Sequence, residues 1–406
     1  TRYNDFLHII KKLIILFLSN LPLIKIINMR KLSLFEPNIS KLEKKMVLQS
    51  MNKNQISTHG SYTGIFEKKV KKITRSKYNL ATSSGSSALF VALKSIGVKK
   101  NDIVLTQSYT FAATTNAIIL NNSTPLLLDI SLDNLNLNLN QLKNFLEKKT
   151  YKKNNYTFHK KSKKKISCIC LVFTLGIIPD LEKFKAISRK YRLKIIFDAA
   201  CALGHKYKKQ KLTKYCDAAI YSFNGNKNFT TAAGGLISTE NKKYYDFAKK
   251  FSNNGKIINA YDYKMIGFNL KMSSINAAIG LAQIKRFKEI QINKKKINQY
   301  YNQNLTNIKL FKCEFSWGKY MAWMNFSIIK NQNKRKKIIQ RLRKKNILVN
   351  NFWLPMHKQP VKNNFFLTDF PNSNYLHKRI LVLPSSTNMN LNIVKKISKI
   401  INEIKL

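Results

Sequence analysis

Cysteine is scarce in this chain, and the few cysteines are not spaced for a structural role. Five occur among 406 residues. The number is odd and no C-x-x-C spacing occurs, which argues against a disulfide framework and a structural zinc site. The six histidines are scattered without metal-ligand spacing, so we expect no metal. Unpaired cysteines are typical of a reducing compartment, and we expect a cytoplasmic protein. The five are Cys168, Cys170, Cys201, Cys216 and Cys313.

Acidic residues are also few. Nineteen Asp and Glu residues stand against 74 Lys and Arg residues, so the formal net charge is +55. Such a charge can indicate a nucleic-acid or anionic-surface binder. However, the lysines are spread along the whole chain, no nucleic-acid-binding motif accompanies them, and Asn and Ile are abundant, as an AT-rich genome would produce. We therefore attribute the charge to composition and expect no specific nucleic-acid partner, although it would assist capture of a diphosphate-bearing substrate.

Long apolar runs are missing as well. The best candidate, residues 13–18, follows Lys11 and Lys12 but is short and is interrupted by Asn20 and Pro22. It resembles a signal-peptide core, yet no A-x-A cleavage site follows it. We expect residues 1–35 to be an N-terminal extension outside the fold, with no membrane role. Met29 is an alternative start, and the role of residues 1–28 stays open.

Short apolar segments alternate with helical patterns from about residue 40. This alternation predicts an α/β fold with a mostly parallel central sheet flanked by helices. The almost fully apolar residues 166–173 are typical of a central strand. Residues 149–165 are charged and lack periodicity, and we expect an exposed loop there. We divide the chain into a large domain, residues 36–285, and a small C-terminal α/β domain, residues 286–406.

Several polar groups follow predicted strands, and in such sheets the ligand binds where the carboxyl ends of the strands meet. Asp198 ends one strand, Ser222 and Lys227 follow another, and the small-residue turn at residues 84–87 begins a helix, whose N-terminus can bind an anion. Pyridoxal phosphate (PLP) requires such a set: an amine for an imine with its aldehyde, a carboxylate for its pyridine nitrogen and an anion site for its phosphate. Each group also has a simpler interpretation, as a solvated lysine, a helix cap or an ordinary tight turn.

A series of short motifs, taken in chain order, carries a family resemblance. They are Phe66-Glu67, Ser84-Gly85-Ser86, residues 109–114, Asp198-Ala199-Ala200, residues 222–227, Gly267-Phe268-Asn269, residues 276–283 and Leu383-Pro384-Ser385-Ser386. Together they resemble the DegT/StrS family of sugar-nucleotide aminotransferases, which are fold-type I PLP enzymes. The resemblance extends from about Glu36 to the C-terminus. Residues 222–227, the polar insert before Ile166 and residues 353–360 are most similar to the branch that makes 4-amino sugars for legionaminic acid and bacillosamine.

The resemblance implies roles for individual residues. Lys227 would bind the cofactor aldehyde as an imine and later move a proton, Asp198 would pair with the pyridine nitrogen, and Phe111 would stack on the ring. Cys201 stands near the cofactor, where the family usually has Gln or Glu. The phosphate would be bound by Gly85, Ser86 and Ser222 and, across the interface of a homodimer, by Asn269. The implied reaction moves an amino group from glutamate to a 4-keto-6-deoxy sugar carried on UDP, for surface polysaccharide or nonulosonic acid synthesis.

The chain departs from the family pattern in four places. Residues 172–176 lack the usual His, Cys201 replaces Gln or Glu, Ala232 and Ala233 begin the glycine run after the lysine loop, and Lys271 replaces an arginine. Two alternatives therefore remain: a PLP-fold protein without transaminase activity, and an aminotransferase for a GDP-linked 4-keto sugar of the perosamine type. Dehydratase relatives have His in place of the lysine, so Lys227 argues against that branch.

Overall fold

A central mixed sheet organises the fold. The computed structural model describes residues 31–256, 262–263, 265–350 and 352–404, so the apolar run at residues 13–18 and Met29 lie outside the described residues. The strands are β1 Tyr78–Thr82, β2 Ile103–Gln107, β3 Thr124–Leu128, β4 Thr150–Lys153, β5 Tyr156–His159, β6 Lys165–Val172, β7 Lys194–Asp198, β8 Ala218–Ser222, β9 Gly235–Thr239, β10 Glu314–Phe315, β11 Gly318–Lys319, β12 Asn325–Ile328 and β13 Ile380–Leu383.

The order along the main path of this sheet is β1-β9-β8-β7-β6-β2-β3. Neighbouring strands from β8 to β3 are parallel, whereas β9 runs antiparallel to both β8 and β1. The prediction of a mostly parallel sheet is confirmed. Because β1 and β8 are each antiparallel to β9, they point the same way, and the carboxyl ends of β1, β7 and β8 meet at one edge of the sheet.

Helices cover both faces of the sheet. On β6, Cys168 and Cys170 belong to one apolar core, while Ile169 and Leu171 belong to the other. This two-sided burial explains the near-continuous apolar sequence of the strand. The helices are α1 Lys41–Asn52, α2 Tyr62–Thr74, α3 Gly85–Ser95, α4 Ala112–Leu120, α5 Leu139–Lys149, α6 Leu181–Tyr191, α7 Lys242–Phe251, α8 Ser274–Asn304, α9 Gln332–Lys344, α10 Pro371–Arg379 and α11 Leu391–Asn402.

The prediction of an exposed loop at residues 149–165 is wrong. The segment contains the antiparallel hairpin of β4 and β5, and β5 also pairs with the start of β6. The connecting Asn154 and Asn155 both have positive φ, 47° and 64°, as a two-residue hairpin turn requires. On β5, Thr157 and His159 are buried whereas Tyr156 is exposed. This alternation is a strand signal that the many lysines obscured.

The C-terminal part packs a small two-stranded sheet, β12 with β13, against helices. One apolar cluster there draws its buried members from residues 297–404. The boundary expected at residue 285 falls within the long helix α8, and the two-domain division stays a prediction. Among the described helices, none has both the length and the apolar character needed to span a membrane.

Candidate active site

The predicted site residues meet in one cavity at the carboxyl edge of the sheet. The cavity has a volume of about 400 Å³, and seven of the eight predicted residues line it. The eighth, Asn269, is exposed outside this lining and pairs with Asn253 in an isolated bridge. The seven are Gly85, Ser86, Phe111, Asp198, Cys201, Ser222 and Lys227.

Lys227 lies on the loop between β8 and β9. Its backbone N–H donates to the Asn224 carbonyl at 2.9 Å, closing a turn. The side chain is half-buried; Nζ lies 3.1 Å from Cys201 Sγ and 4.0 Å from the centre of the Trp323 ring. The amine is therefore held at the cavity wall by a weak sulfur acceptor and an aromatic face.

Asp198 ends β7 and is only 6% exposed. Thr114 Oγ1 donates to Oδ2 at 2.7 Å, and the Ala200 N–H donates to Oδ1 at 3.3 Å. Burial raises the pKa of the Asp198 carboxyl above its usual value, while these two hydrogen bonds and the charge of Lys227 oppose the rise. No other described residue donates a hydrogen bond to the carboxylate, so a buried acceptor beside the cavity has room for a cationic partner.

The turn after β1 is shaped as a cradle for an anion. Ser84 caps α3, its Oγ accepting from the Ser87 N–H at 3.0 Å, and the cavity reaches the turn at residues 84–86. A Cβ added at Gly85 would lie 2.8 Å from Ser222 Cβ. Only glycine therefore permits the helix start to approach Ser222 this closely, and the first N–H groups of a helix favour an anion there.

Phe111 supplies a flat apolar surface. It is the N-cap residue of α4, it is 60% exposed, and it lines the cavity. An exposed aromatic ring at a cavity wall has no packing role that would explain it, whereas stacking on a planar ligand would. Phe111 stands at the start of a helix, and its contact with a cofactor stays a prediction.

Sequence reasoning missed the groups that hold Lys227 and Asp198, the predicted catalytic pair. Thr114 belongs to the motif at residues 109–114, but the sequence assigns it no role, because its hydroxyl reaches Asp198 across 84 residues of chain. Trp323 Nε1 donates to the Asn226 carbonyl at 2.7 Å, so a residue from the C-terminal part fixes the lysine loop. Phe352 and Trp353 also line the cavity. Trp353 begins one of the segments that carry the family resemblance, but the sequence assigns no site role to any of these aromatics.

Three of the four departures from the family pattern have a residue in the cavity lining, whereas Lys271 does not. Phe173 is buried, with its ring 4.9 Å from that of Phe197, and it replaces the expected polar His with an apolar wall. Burial raises the pKa of the Cys201 thiol, with Lys227 opposing the rise. A neutral thiol next to Lys227 is a weaker hydrogen-bonding partner than Gln or Glu would be.

Comparisons with known proteins agree with this geometry. The family model of the DegT/DnrJ/EryC1/StrS aminotransferases matches residues 37–402. The chain belongs to this family. It is 27% identical to GDP-perosamine synthase of Escherichia coli O157:H7 over 376 residues, covering 92% of this chain and 99% of that protein. It is 26% identical over 391 residues to the spore coat polysaccharide biosynthesis protein SpsC of Bacillus subtilis, covering 91% and 95%.

Among solved structures, Helicobacter pylori PseC, an aminotransferase of pseudoaminic acid biosynthesis, superposes with a TM-score of 0.80 at 22% identity, covering 92% of this chain and 98% of that one. This likeness confirms the fold-type I architecture. The DegT/StrS aminotransferases are PLP-dependent sugar aminotransferases. The residues present fit that cofactor: a lysine amine, a buried carboxylate and a glycine cradle at a helix start share one cavity.

Proposed function

We propose that the protein transfers the amino group of glutamate to a nucleotide-linked 4-keto-6-deoxy sugar, most simply one carried on UDP. The observation that carries the proposal is that Lys227 and Asp198 line the same cavity as the Gly85 cradle. Membership of a sugar aminotransferase family supports the reaction type. The +55 charge of the chain would favour capture of a substrate bearing a diphosphate.

Bound PLP would supply the electron sink on which transamination depends. Lys227 would hold the cofactor aldehyde and, once released, carry a proton at Nζ. Asp198 would face the pyridine nitrogen, its charge kept by the Thr114 hydroxyl and the Ala200 N–H. Gly85, Ser86 and Ser222 would bind the phosphate, and Phe111 would cover the ring. Cys201 would accept a hydrogen bond from the free lysine amine.

A homodimer is part of the proposal. Asn269 is exposed and lies outside the cavity lining of its own chain, so it is available to the phosphate site of a second copy. If so, mixing an Asn269→Ala chain with a Lys227→Ala chain should restore activity, because one of the two sites in each mixed dimer is then intact. We also propose a cytoplasmic location, supported by five free cysteines.

The test combines cofactor trapping with a substrate panel. Borohydride reduction of the PLP-loaded protein should fix the cofactor on Lys227, as read by peptide mass spectrometry. Lys227→Ala should lose both trapping and transamination, whereas the matched control Lys295→Ala should keep trapping. Incubation with glutamate and 4-keto-6-deoxy sugars on UDP or GDP then identifies the product by mass. Transamination by Lys227→Ala would refute the assignment.

Two alternatives lead to different outcomes. The likeness to GDP-perosamine synthases supports a GDP-linked substrate, and preferential amination of the GDP sugar would establish it. Cys201 and Phe173 in the cavity wall motivate the second alternative, a PLP-fold protein without transaminase activity. Conversion of the bound cofactor to its amine form by glutamate would exclude it.

A further inference from the structure

A second cavity opens from the same lysine. Its volume is about 330 Å³, and it shares Ala200, Cys201, Ser222 and Lys227 with the cofactor cavity. Its other walls come from the loop after β7, from one side of α8, from Asn228 and Phe229 beyond Lys227, and from Lys319 and Met321. The β7 loop is therefore one of the surfaces open to a substrate that approaches Lys227 from this side, and His205 is on that loop and lines the cavity.

His205 is held rigidly in this wall. Its backbone N–H donates to the Ala202 carbonyl at 3.0 Å, and its ring lies 5.7 Å from that of Tyr320. The preceding Gly204 has a φ of +81°, and a Cβ there would lie 2.7 Å from Phe287 Cζ of α8. Close packing of the loop against α8 thus leaves the imidazole little freedom to move.

One hydrogen bond decides which ring nitrogen carries the proton. His205 Nδ1 lies 3.0 Å from the Gly176 carbonyl oxygen. A carbonyl oxygen can only accept, so Nδ1 must be the donor and must carry the hydrogen. Burial lowers the pKa of His205 to about 4, so the ring is neutral near pH 7. Nε2 then bears a lone pair and can only accept a hydrogen bond.

Nε2 can only accept a hydrogen bond, whereas the other polar side chains that line this cavity are donors or can act as both donor and acceptor. The lysines that line it present N–H donors, and no Asp or Glu lines the cavity within the described part of the chain; these lysines are Lys227, Lys288, Lys294, Lys295 and Lys319. The amides of Asn228 and Gln291 and the Ser222 hydroxyl can present either a donor or an acceptor by rotation. Among the described residues none donates to His205 Nε2, so a ligand in this cavity can supply the donor that this acceptor needs.

We propose that His205 selects the sugar substrate by accepting a hydrogen bond from a ring hydroxyl or an amide N–H near the carbon that is aminated. This inference rests on the proposed function and adds a specificity residue to it. A sugar lacking that donor would leave Nε2 unpaired in a partly dehydrated wall, and sites built to bind a hydroxyl or N–H discriminate on this ground.

The test compares sugars that differ by one donor. Substrates are the UDP-linked 4-keto-6-deoxy sugar with a 2-acetamido group, the corresponding GDP-linked 4-keto-6-deoxy hexose, and their monodeoxy analogues. The wild type should prefer the parent sugar over one deoxy analogue by about tenfold in kcat/KM. His205→Phe keeps a ring but has no acceptor, and should lose this preference. His205→Gln keeps an acceptor and should restore part of it.

Controls separate this inference from a folding defect and from the proposed function. PLP trapping on Lys227 shows that each variant is folded, and His59→Phe, an exposed histidine outside both cavities, should keep the wild-type preference. If the wild type aminates the sugars but His205→Phe retains the same preference, the role of His205 is refuted alone. If the wild type binds PLP and aminates none of the sugars, the proposed function fails and the inference fails with it.

Discussion

Replacement of Thr114 by Val tests how the structure keeps Asp198 charged. The two side chains have nearly the same shape, so Thr114→Val removes the hydroxyl that donates to Asp198 Oδ2 at 2.7 Å without opening a cavity. Thr114 is fully buried and Asp198 is 6% exposed. The Ala200 N–H, at 3.3 Å, is the other hydrogen bond to this carboxylate. The variant therefore leaves one long hydrogen bond on a buried charge.

The expected loss follows from the value of a hydrogen bond to a charged group, about 1.5–3 kcal/mol. This corresponds to a tenfold to roughly 150-fold weaker affinity for PLP if the carboxylate must be charged to bind the pyridine nitrogen. The sign of the pH effect is also determined. A hydrogen bond to the charged form lowers a carboxyl pKa, so its removal raises the pKa of Asp198 further. As the pH is lowered, the variant should therefore lose cofactor binding at a higher pH than the wild type does.

The assay is a PLP titration of the apoprotein by absorbance, repeated from pH 5 to pH 9. Thr115→Val is the matched control, since Thr115 is a buried neighbour on α4 whose hydroxyl donates to the Ala112 carbonyl at 3.1 Å and not to Asp198. The reasoning would be refuted if both variants lost the same amount of PLP affinity. It would also be refuted if Thr114→Val bound PLP with wild-type affinity and lost binding at the same acidic pH as the wild type.

Two further predictions concern the cradle and a buried lysine. Gly85→Ala should weaken PLP binding by about tenfold or more in a PLP titration, because the added Cβ would lie 2.8 Å from Ser222 Cβ. Its control is Gly64→Ala, where the added Cβ meets open space. This control should leave PLP binding unchanged and raise the stability of the helix by about 0.5–1 kcal/mol in thermal unfolding. Lys294 donates to the carbonyls of Trp323 and Ser385, and burial lowers its pKa to about 7. The unfolded chain then binds more protons between pH 7 and about pH 10, so the free energy of unfolding should rise with pH in this window. Lys294→Met should remove that rise in urea titrations at pH 7, 8 and 9, and an unchanged slope would contradict the assignment.

Much of the site could be predicted because local rules govern it. Asp198, Ser222 and the turn at Gly85 each end a strand or begin a helix, and parallel strands of one sheet end at the same edge. Phe111 could be placed for the same reason, since it stands at the start of α4. The hairpin of β4 and β5 was missed although its alternating burial and Asn-Asn turn were present in the sequence, because abundant lysine made the segment look like a solvated loop.

The sequence by itself determined most of the strand and helix order, the cavity edge, and the amine and carboxylate that line one cavity there, because these depend on patterns a few residues long. Only the tertiary structure decided which groups support them. The Thr114 hydroxyl is 84 residues from Asp198 in sequence, Trp323 is 97 residues from the carbonyl it binds, and the proton position on His205 depends on the Gly176 carbonyl. Such contacts form only when whole layers of the core pack, and no local pattern encodes the distance between two layers.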